Sequence, residues 1–190
     1  MDIDSTARPL ECFELYFDQV MIDIIVRETN RYAVQYISKN PPIERSIYKA
    51  WTPISEDEIR LFLGILILQG IVKLPRQEWC WSTRKIHVPV FQELISRNRF
   101  LLLMKFMHFT NNENFDLVNH PNPKLWKFFE IMEHLCTRFR EVYIPADSLS
   151  LDESLMLYKG CLGWKMFNTK KRARFGLKFF VVCETESEYI

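Results

Sequence analysis

The sequence predicts a mixed α+β fold: a largely helical N-terminal region that runs into the first strands of a sheet near the C-terminal end. Periodicity and composition both point there. Before Pro145, apolar residues recur at three- and four-residue spacings, whereas from Leu149 and again from Phe175 they alternate with a period of two. With 15 Phe but only 5 Gly in 190 residues, the chain favours packed helices around a modest sheet over a disordered or glycine-rich nucleotide fold.

The opening residues 1–9 read as a flexible arm. Pro9 suits the first turn of a helix, and Phe13, Phe17, Val20 and Ile24 extend an apolar stripe through Ile25 toward Tyr32, Tyr36 and Ile37, so one long helix is expected up to Asn40-Pro41-Pro42. Ser55 and Glu58 stand at capping-box spacing. Ile59, Phe62, Leu63, Leu66 and Ile67 then form a broad face, widened by Leu61, Ile65 and Leu68; this predicts a buried helix in which Gly64 permits close packing and Gly70 ends the run.

Trp79 and Trp81 are expected to anchor the following connection. Pro89 can start a helix with Phe91, Leu94 and Ile95, and Ser96 can cap another facing inward through Phe100, Leu101, Met104 and Met107. His108 is read as a packed or hydrogen-bonded side chain, because His87, His120 and His134 do not stand at a metal-binding interval from it. After a polar, proline-broken loop, Asn122-Pro123 opens a helix through Leu125, Phe128, Phe129, Met132, Leu135, Cys136 and Phe139, with Arg138 and Arg140 placed to face its C-terminal carbonyls. The helical domain is thus expected over residues 10–145 and the sheet-bearing domain over 146–190.

In an extended chain Leu149 and Leu151 share one side and Ser150 and Asp152 the other, which predicts a strand with buried leucines and Asp152 at a polar edge. Gly160 and Gly163 mark a turn. A second strand follows through Phe175, Leu177, Phe179, Val181 and Cys183; because Phe180 and Val182 are apolar too, it is expected to be covered on both faces. Glu184, Glu186 and Glu188 read as a solvated turn.

Charge and cysteine usage narrow the partners. With 25 basic and 24 acidic residues the net charge is +1, so any polyanion contact must come from local clustering. Such a cluster exists: Lys159, Lys165, Lys170, Lys171, Arg172, Arg174 and Lys178 follow one another with no acidic residue between the first and the last. A solvated loop is one reading. The other is phosphate contact, since the run is interleaved with Trp164, Phe167 and Phe175 and flanks the carboxylates Asp152 and Glu153, which could hold a hard divalent cation. The 5 cysteines lie without close pairs, as expected of free thiols in a reducing compartment. Neither a secretory leader nor a membrane-spanning stretch is evident, and an intracellular protein with no membrane partner and no small-molecule substrate is the expectation.

Ordered motifs along most of the chain carry a resemblance: Trp51-Thr-Pro-Ile54; Leu68-Gln-Gly-Ile-Val-Lys-Leu-Pro75; Arg99-Phe-Leu-Leu-Leu-Met-Lys-Phe-Met-His-Phe109; Leu151-Asp-Glu-Ser-Leu-Met-Leu-Tyr-Lys-Gly160; and Phe175-Gly-Leu-Lys178. Together they resemble the piggyBac family of transposases and their transposable-element-derived relatives. The resemblance implies a ribonuclease-H-like catalytic core, a nuclear setting, and DNA cleavage and strand transfer by three aspartates with two divalent metals, Mg²⁺ or Mn²⁺. Asp152 matches the first aspartate, and the other two would lie beyond Ile190. The chain is therefore expected to be an N-terminal and early catalytic fragment with a truncated core. It should need no cofactor of its own, lack cleavage or transfer activity, and bind double-stranded DNA weakly through Lys165, Lys170, Lys171, Arg172, Arg174 and Lys178. The alternative is a non-catalytic interaction protein that pairs with a full-length relative or another protein. The family pattern is departed from at Cys80, where a tyrosine is usual, at Cys161 for arginine, at Lys171 for proline, and at Glu188-Tyr189 for Gly-Tyr.

Overall fold

A computed structural model describes residues 8–83, 89–114, 116, 118–169, 174–187 and 189. Most of the expected flexible arm, residues 1–7, lies outside them. Contacts divide the chain into a unit ending at Arg138 and a unit beginning at Phe139.

The first unit is helical. Its elements are α1 (Pro9–Glu14), α2 (Gln19–Lys39), α3 (Glu56–Ile71), α4 (Val90–Leu94), α5 (Arg97–Phe106) and most of α6 (Phe129–Val142), with short 3₁₀ turns between several of them. The single long helix expected from Pro9 is two helices. Asp18 caps α2 by accepting the Met21 N–H at 3.0 Å, and the break resets the helical phase. Buried positions then fall at Met21, Ile25, Thr29 and Ala33, four residues apart, while Val20 is exposed.

Ile59, Phe62 and Ile65 of α3 are buried as expected, and Ser55 accepts the Glu58 N–H at 3.3 Å. Three details of this helix differ from expectation. Ile67 is exposed; a Cβ on Gly64 would meet nothing within 4 Å, so no close packing requires it; and the helix continues past Gly70 to Ile71. Of the two tryptophans only Trp81 anchors, donating its indole N–H to the Ile95 carbonyl at 2.8 Å and lying 4.8 Å from the Phe100 ring, while Trp79 is exposed. In α5, Ser96 caps through the Arg99 N–H, and Phe100, Leu102, Leu103 and Phe106 are buried; Met104, expected inward, is exposed. His108 is a packing residue: its ring stacks 4.1 Å from Tyr32 and its Nε2 lies 3.0 Å from Asn112 Oδ1.

The helix expected from Pro123 begins at Phe129, after hydrogen-bonded turns from Asn122 to Leu125 and from Leu125 to Phe128. Arg138 does not serve the α6 C-terminus; it donates to the Leu15 carbonyl at 2.9 Å and approaches Asp18 Oδ2 at 3.5 Å, where His134 Nε2 also lies 2.8 Å from Oδ1. Asp18 thus joins a helix cap to side chains distant in sequence.

The second unit holds the end of α6 and an antiparallel three-stranded sheet, β1 (Leu149–Leu157), β2 (Met166–Phe167) and β3 (Phe175–Glu184), in the order β1-β3-β2. Leu149 pairs with Glu184, Asp152 with Val181 and Leu157 with Gly176, so cross-strand partners share a face. Glycine is required at 176, because a Cβ there would strike the Met156 carbonyl. The expected burial of Leu149 and Leu151 is not found, and β3 is covered only in part: Leu177 is buried, but Leu151 is 68% and Phe180 69% exposed, and Phe179 and Val182 are exposed as well. The alternation was correct, but alternation assigns residues to faces without saying what lies against either face.

Candidate functional site

Asp152 sits mid-strand in β1, exposed, on the face that also carries Ser150, Ser154, Val181 and Phe179. Its Oδ1 accepts the backbone N–H of Glu153 at 2.7 Å. Glu153 points to the opposite face, where its carboxylate is ion-paired with Lys178, and Lys178 also lies over the Phe180 ring at 4.6 Å. The two adjacent carboxylates are therefore separated by the pleat, and Lys178 is committed to an ion pair within the sheet.

The other predicted cations fall at the far side of the sheet. Lys165 donates to the Gly160 carbonyl at 3.0 Å and stands 5.3 Å from the Phe175 ring centroid. Phe175 is paired in register with Phe167 across β3 and β2, their rings are 4.6 Å apart, and both are exposed. Arg174 precedes Phe175 and is exposed, its carbonyl accepting the Asn168 N–H at 2.8 Å. Lys165, Phe167 and Phe175 thus gather in one place, with Arg174 adjacent in sequence, while Asp152 and Lys178 lie further along β1 and β3. Lys170, Lys171 and Arg172 lie outside the described residues. A cation beside two exposed rings can neutralise a phosphate and stack on a flat group.

A two-metal centre needs several carboxylate oxygens converging on two cations. Among the described residues no three His, Cys, Asp or Glu side chains gather as a cation site. Asp152 offers one carboxylate, and the donor set present does not fit a two-metal group.

Glu184 is the residue that sequence reasoning misplaced. Expected as a solvated turn residue, it is 5% exposed and collects donors: the Ser187 and Tyr143 hydroxyls and the Ala146 N–H at 2.5 Å. The Ser187 hydroxyl, then Tyr143 and Ala146, hold its carboxyl down at about 2 against an ordinary 4.5. Glu184 and Tyr143 border a cleft of about 180 Å³ with Phe139, Leu149, Val182 and Tyr189. A glutamate ending an apolar strand was the one available signal; its donors come from residues 38 and 41 positions away as well as from the next turn.

A folded-state value below the unfolded one means that ionised Glu184 stabilises the fold above about 4.5, and that this contribution disappears as pH falls through about 2. Glu184→Gln is therefore expected to be less stable than wild type at pH 6, with the gap narrowing as pH falls from 4.5 toward 2. Paired urea titrations at several pH values check this; a gap independent of pH would remove the ionised carboxylate from the explanation.

A family model described as "Transposase IS4" matches residues 8–190. The chain is 31% identical over 94% of its length to PiggyBac transposable element-derived protein 2 of Homo sapiens, covering 27% of that protein. It is 30% identical over 90% of its length to PiggyBac transposable element-derived protein 3 of Homo sapiens, covering 26%. The chain thus spans about a quarter of the length of these curated relatives. A solved structure, a cryo-EM piggyBac transposase synaptic complex with hairpin DNA, superposes with a TM-score of 0.74 at 24% identity, over 94% of this chain and 36% of that one; this likeness establishes the mixed helical and small-sheet fold. Among the described residues no helix is long and apolar enough to cross a membrane. With a family model matching from Arg8 to the last residue, the chain belongs to the piggyBac family of transposase-like, transposon-derived proteins of the DDE superfamily.

Proposed function

We propose that these 190 residues correspond to the N-terminal and early catalytic part of a piggyBac-type DNA transposase, with β1 and β3 as strands of a ribonuclease-H-like core. By themselves they contact double-stranded DNA weakly, with little sequence preference, and neither cut nor join strands. The observation that carries this reading is the half-buried Lys165 over the exposed Phe175–Phe167 ring pair, with the exposed Arg174 next to Phe175 in sequence, on a chain of this family. Phosphate attraction needs clustered positive charge even where no base-reading geometry exists. Lys170, Lys171 and Arg172 would extend that surface, and Lys178 would add least because it is paired with Glu153. Asp152 would serve as the first metal-binding aspartate, with Mg²⁺ or Mn²⁺, only where further carboxylates are supplied. A nuclear setting accompanies this reading.

The test is a fluorescence-anisotropy titration of duplex DNA at several salt concentrations with wild type and with Lys170, Lys171, Arg172 and Arg174 changed to alanine. Wild-type binding should fall steeply with salt. The variant should bind more weakly, its salt slope reduced by roughly 0.9 for each phosphate contact removed. Equal affinities and slopes would return the cluster to a solvated loop. Incubation of the wild-type chain with transposon-end DNA and Mg²⁺ or Mn²⁺ should leave strands intact; cleavage abolished by Asp152→Ala would overturn the inactive assignment.

A second reading, a non-catalytic interaction protein, is favoured by the exposed Phe179, Phe180 and Val182 of β3. A stable complex with a full-length relative, formed by a chain without DNA affinity, would select it.

A further inference from the structure

Apolar matching does not account for the register of β1 against β3. The observed pairing sets Leu149, Leu151, Leu155 and Leu157 opposite Glu184, Val182, Lys178 and Gly176. A slip of one residue would set the same four leucines opposite Cys183, Val181, Leu177 and Phe175, all of them apolar. That slip would also carry Asp152 from its place opposite Val181 to the other face of the pair, opposite Phe180. Something other than apolar contact therefore keeps Asp152 on its own face.

Two contacts within the ladder discriminate. Lys178 lies over the Phe180 ring and is ion-paired with Glu153, the residue opposite Phe180. Shifting β1 by one or two residues in either direction puts Leu151, Asp152, Ser154 or Leu155 opposite Phe180, so only the observed register and the slip described above offer Lys178 a carboxylate. Between those two Lys178 does not choose strongly, because the acids are adjacent. Gly176 does: it stands opposite Leu157, where a Cβ would strike the Met156 carbonyl, and the slip would bring Phe175 to that place. Glycine and lysine two positions apart thus each remove the registers that the other tolerates. Glu184 adds a tie of β3 to Tyr143 and Ala146, which precede β1.

We propose that Gly176 and Lys178 are positioning residues for Asp152: the approach of Gly176 to the Met156 carbonyl and the ion pair of Lys178 with Glu153 together select the strand register that sets the Asp152 carboxylate on the face of Val181. In this account Glu153 is no metal ligand; it is the acid that keeps Lys178 from taking Asp152. The positioning role rests on the proposed place of Asp152 as first metal-binding aspartate, but register is read without metal or DNA, so failure of the one is told from failure of the other.

The test uses the full 190-residue chain with Cys12, Cys136, Cys161 and Cys183 changed to serine, leaving only the buried Cys80. Tyr158 N–H donates to the Phe175 carbonyl and Thr185 N–H to the Ser148 carbonyl, so Leu151 and Val182 form a non-hydrogen-bonded pair with Cα atoms about 4.5 Å apart, within disulfide reach. On mild oxidation Leu151→Cys with Val182→Cys should cross-link, reporting the observed register, and Leu151→Cys with Val181→Cys, reporting the slip, should not. Glu153→Lys, which leaves Asp152 as the acid for Lys178, should raise the ratio of slipped to observed cross-link by about fivefold or more, and adding Lys178→Glu should return it to its starting value. Gly176→Ala, which places a Cβ near the Met156 carbonyl in either register, should let both cross-links form. A lysine acting only through general stability would lower both yields together and show no recovery on charge exchange. That outcome, or a ratio unchanged by Glu153→Lys, would overturn the proposal, leaving register to the Glu184 tie; the charge series decides it even if Gly176→Ala fails to fold.

Discussion

Phe100→Ala is expected to lower the stability of the helical unit by about 3–5 kcal/mol, the range for truncating a buried aromatic side chain whose surroundings collapse only partly. Phe100 is fully buried in α5. Its ring lies 5.3 Å from that of Phe62 in α3 and 4.8 Å from that of Trp81, so it is a contact shared by three stretches distant in sequence. Removing it opens a void against both neighbours and loses packing that no surface adjustment replaces. Urea unfolding followed by tryptophan fluorescence measures the change, and a loss below about 1 kcal/mol would show that the site closes up, contrary to this account.

Arg99→Ala, one residue earlier on α5, is expected to cost about 2–3 kcal/mol for a different reason. Arg99 Nε and Nη2 bind the two Glu58 carboxylate oxygens at 2.5 and 2.6 Å, Nη1 donates to the Thr52 carbonyl at 2.9 Å, and the guanidinium lies 4.8 Å from the Trp51 ring. Both side chains are largely withdrawn from water, at 15% and 23% exposure, so truncation strands a carboxylate as well as losing a bidentate pair. Arg99→Lys keeps the charge but not the planar fork and should recover only part of the loss. The same unfolding series decides it: full recovery with lysine would reduce the role of Arg99 to charge alone.

The Glu58 geometry also explains why local sequence reading went only part of the way. The Ser55 cap was legible because it rests on a three-residue spacing, and Ser55 does accept the Glu58 N–H. The Glu58 side chain, by the same spacing, should return to the cap; it goes instead to Arg99, 41 positions away, where a bidentate partner offers more than a single backbone donor. Asp18 is the converse case, a helix cap hidden inside an apparently continuous apolar stripe. Around the candidate site, the strand bearing Asp152 was legible from alternation, and so was the aromatic interleaving that places Lys165 over Phe175. The commitment of Lys178 to Glu153 depended on the β1–β3 register, which periodicity does not reveal.

By itself the sequence determined the succession of helices followed by strands, most of the buried apolar positions of α3, the turn between β1 and β3, and the ordered motifs by which the family can be known. These features arise from spacings within a turn or a strand, where backbone geometry sets which side chains share a face. Only the tertiary structure decided that Glu184 is a buried acceptor and not a solvated acid, that Arg138 serves Asp18 and not the end of its own helix, and that Phe179, Phe180 and Val182 of β3 stay exposed. Each of those outcomes depends on what another segment brings within hydrogen-bonding or packing distance. Local periodicity assigns a side chain to a face; the partner arriving on that face, or its absence among the described residues, then sets the charge, burial and chemistry of the group.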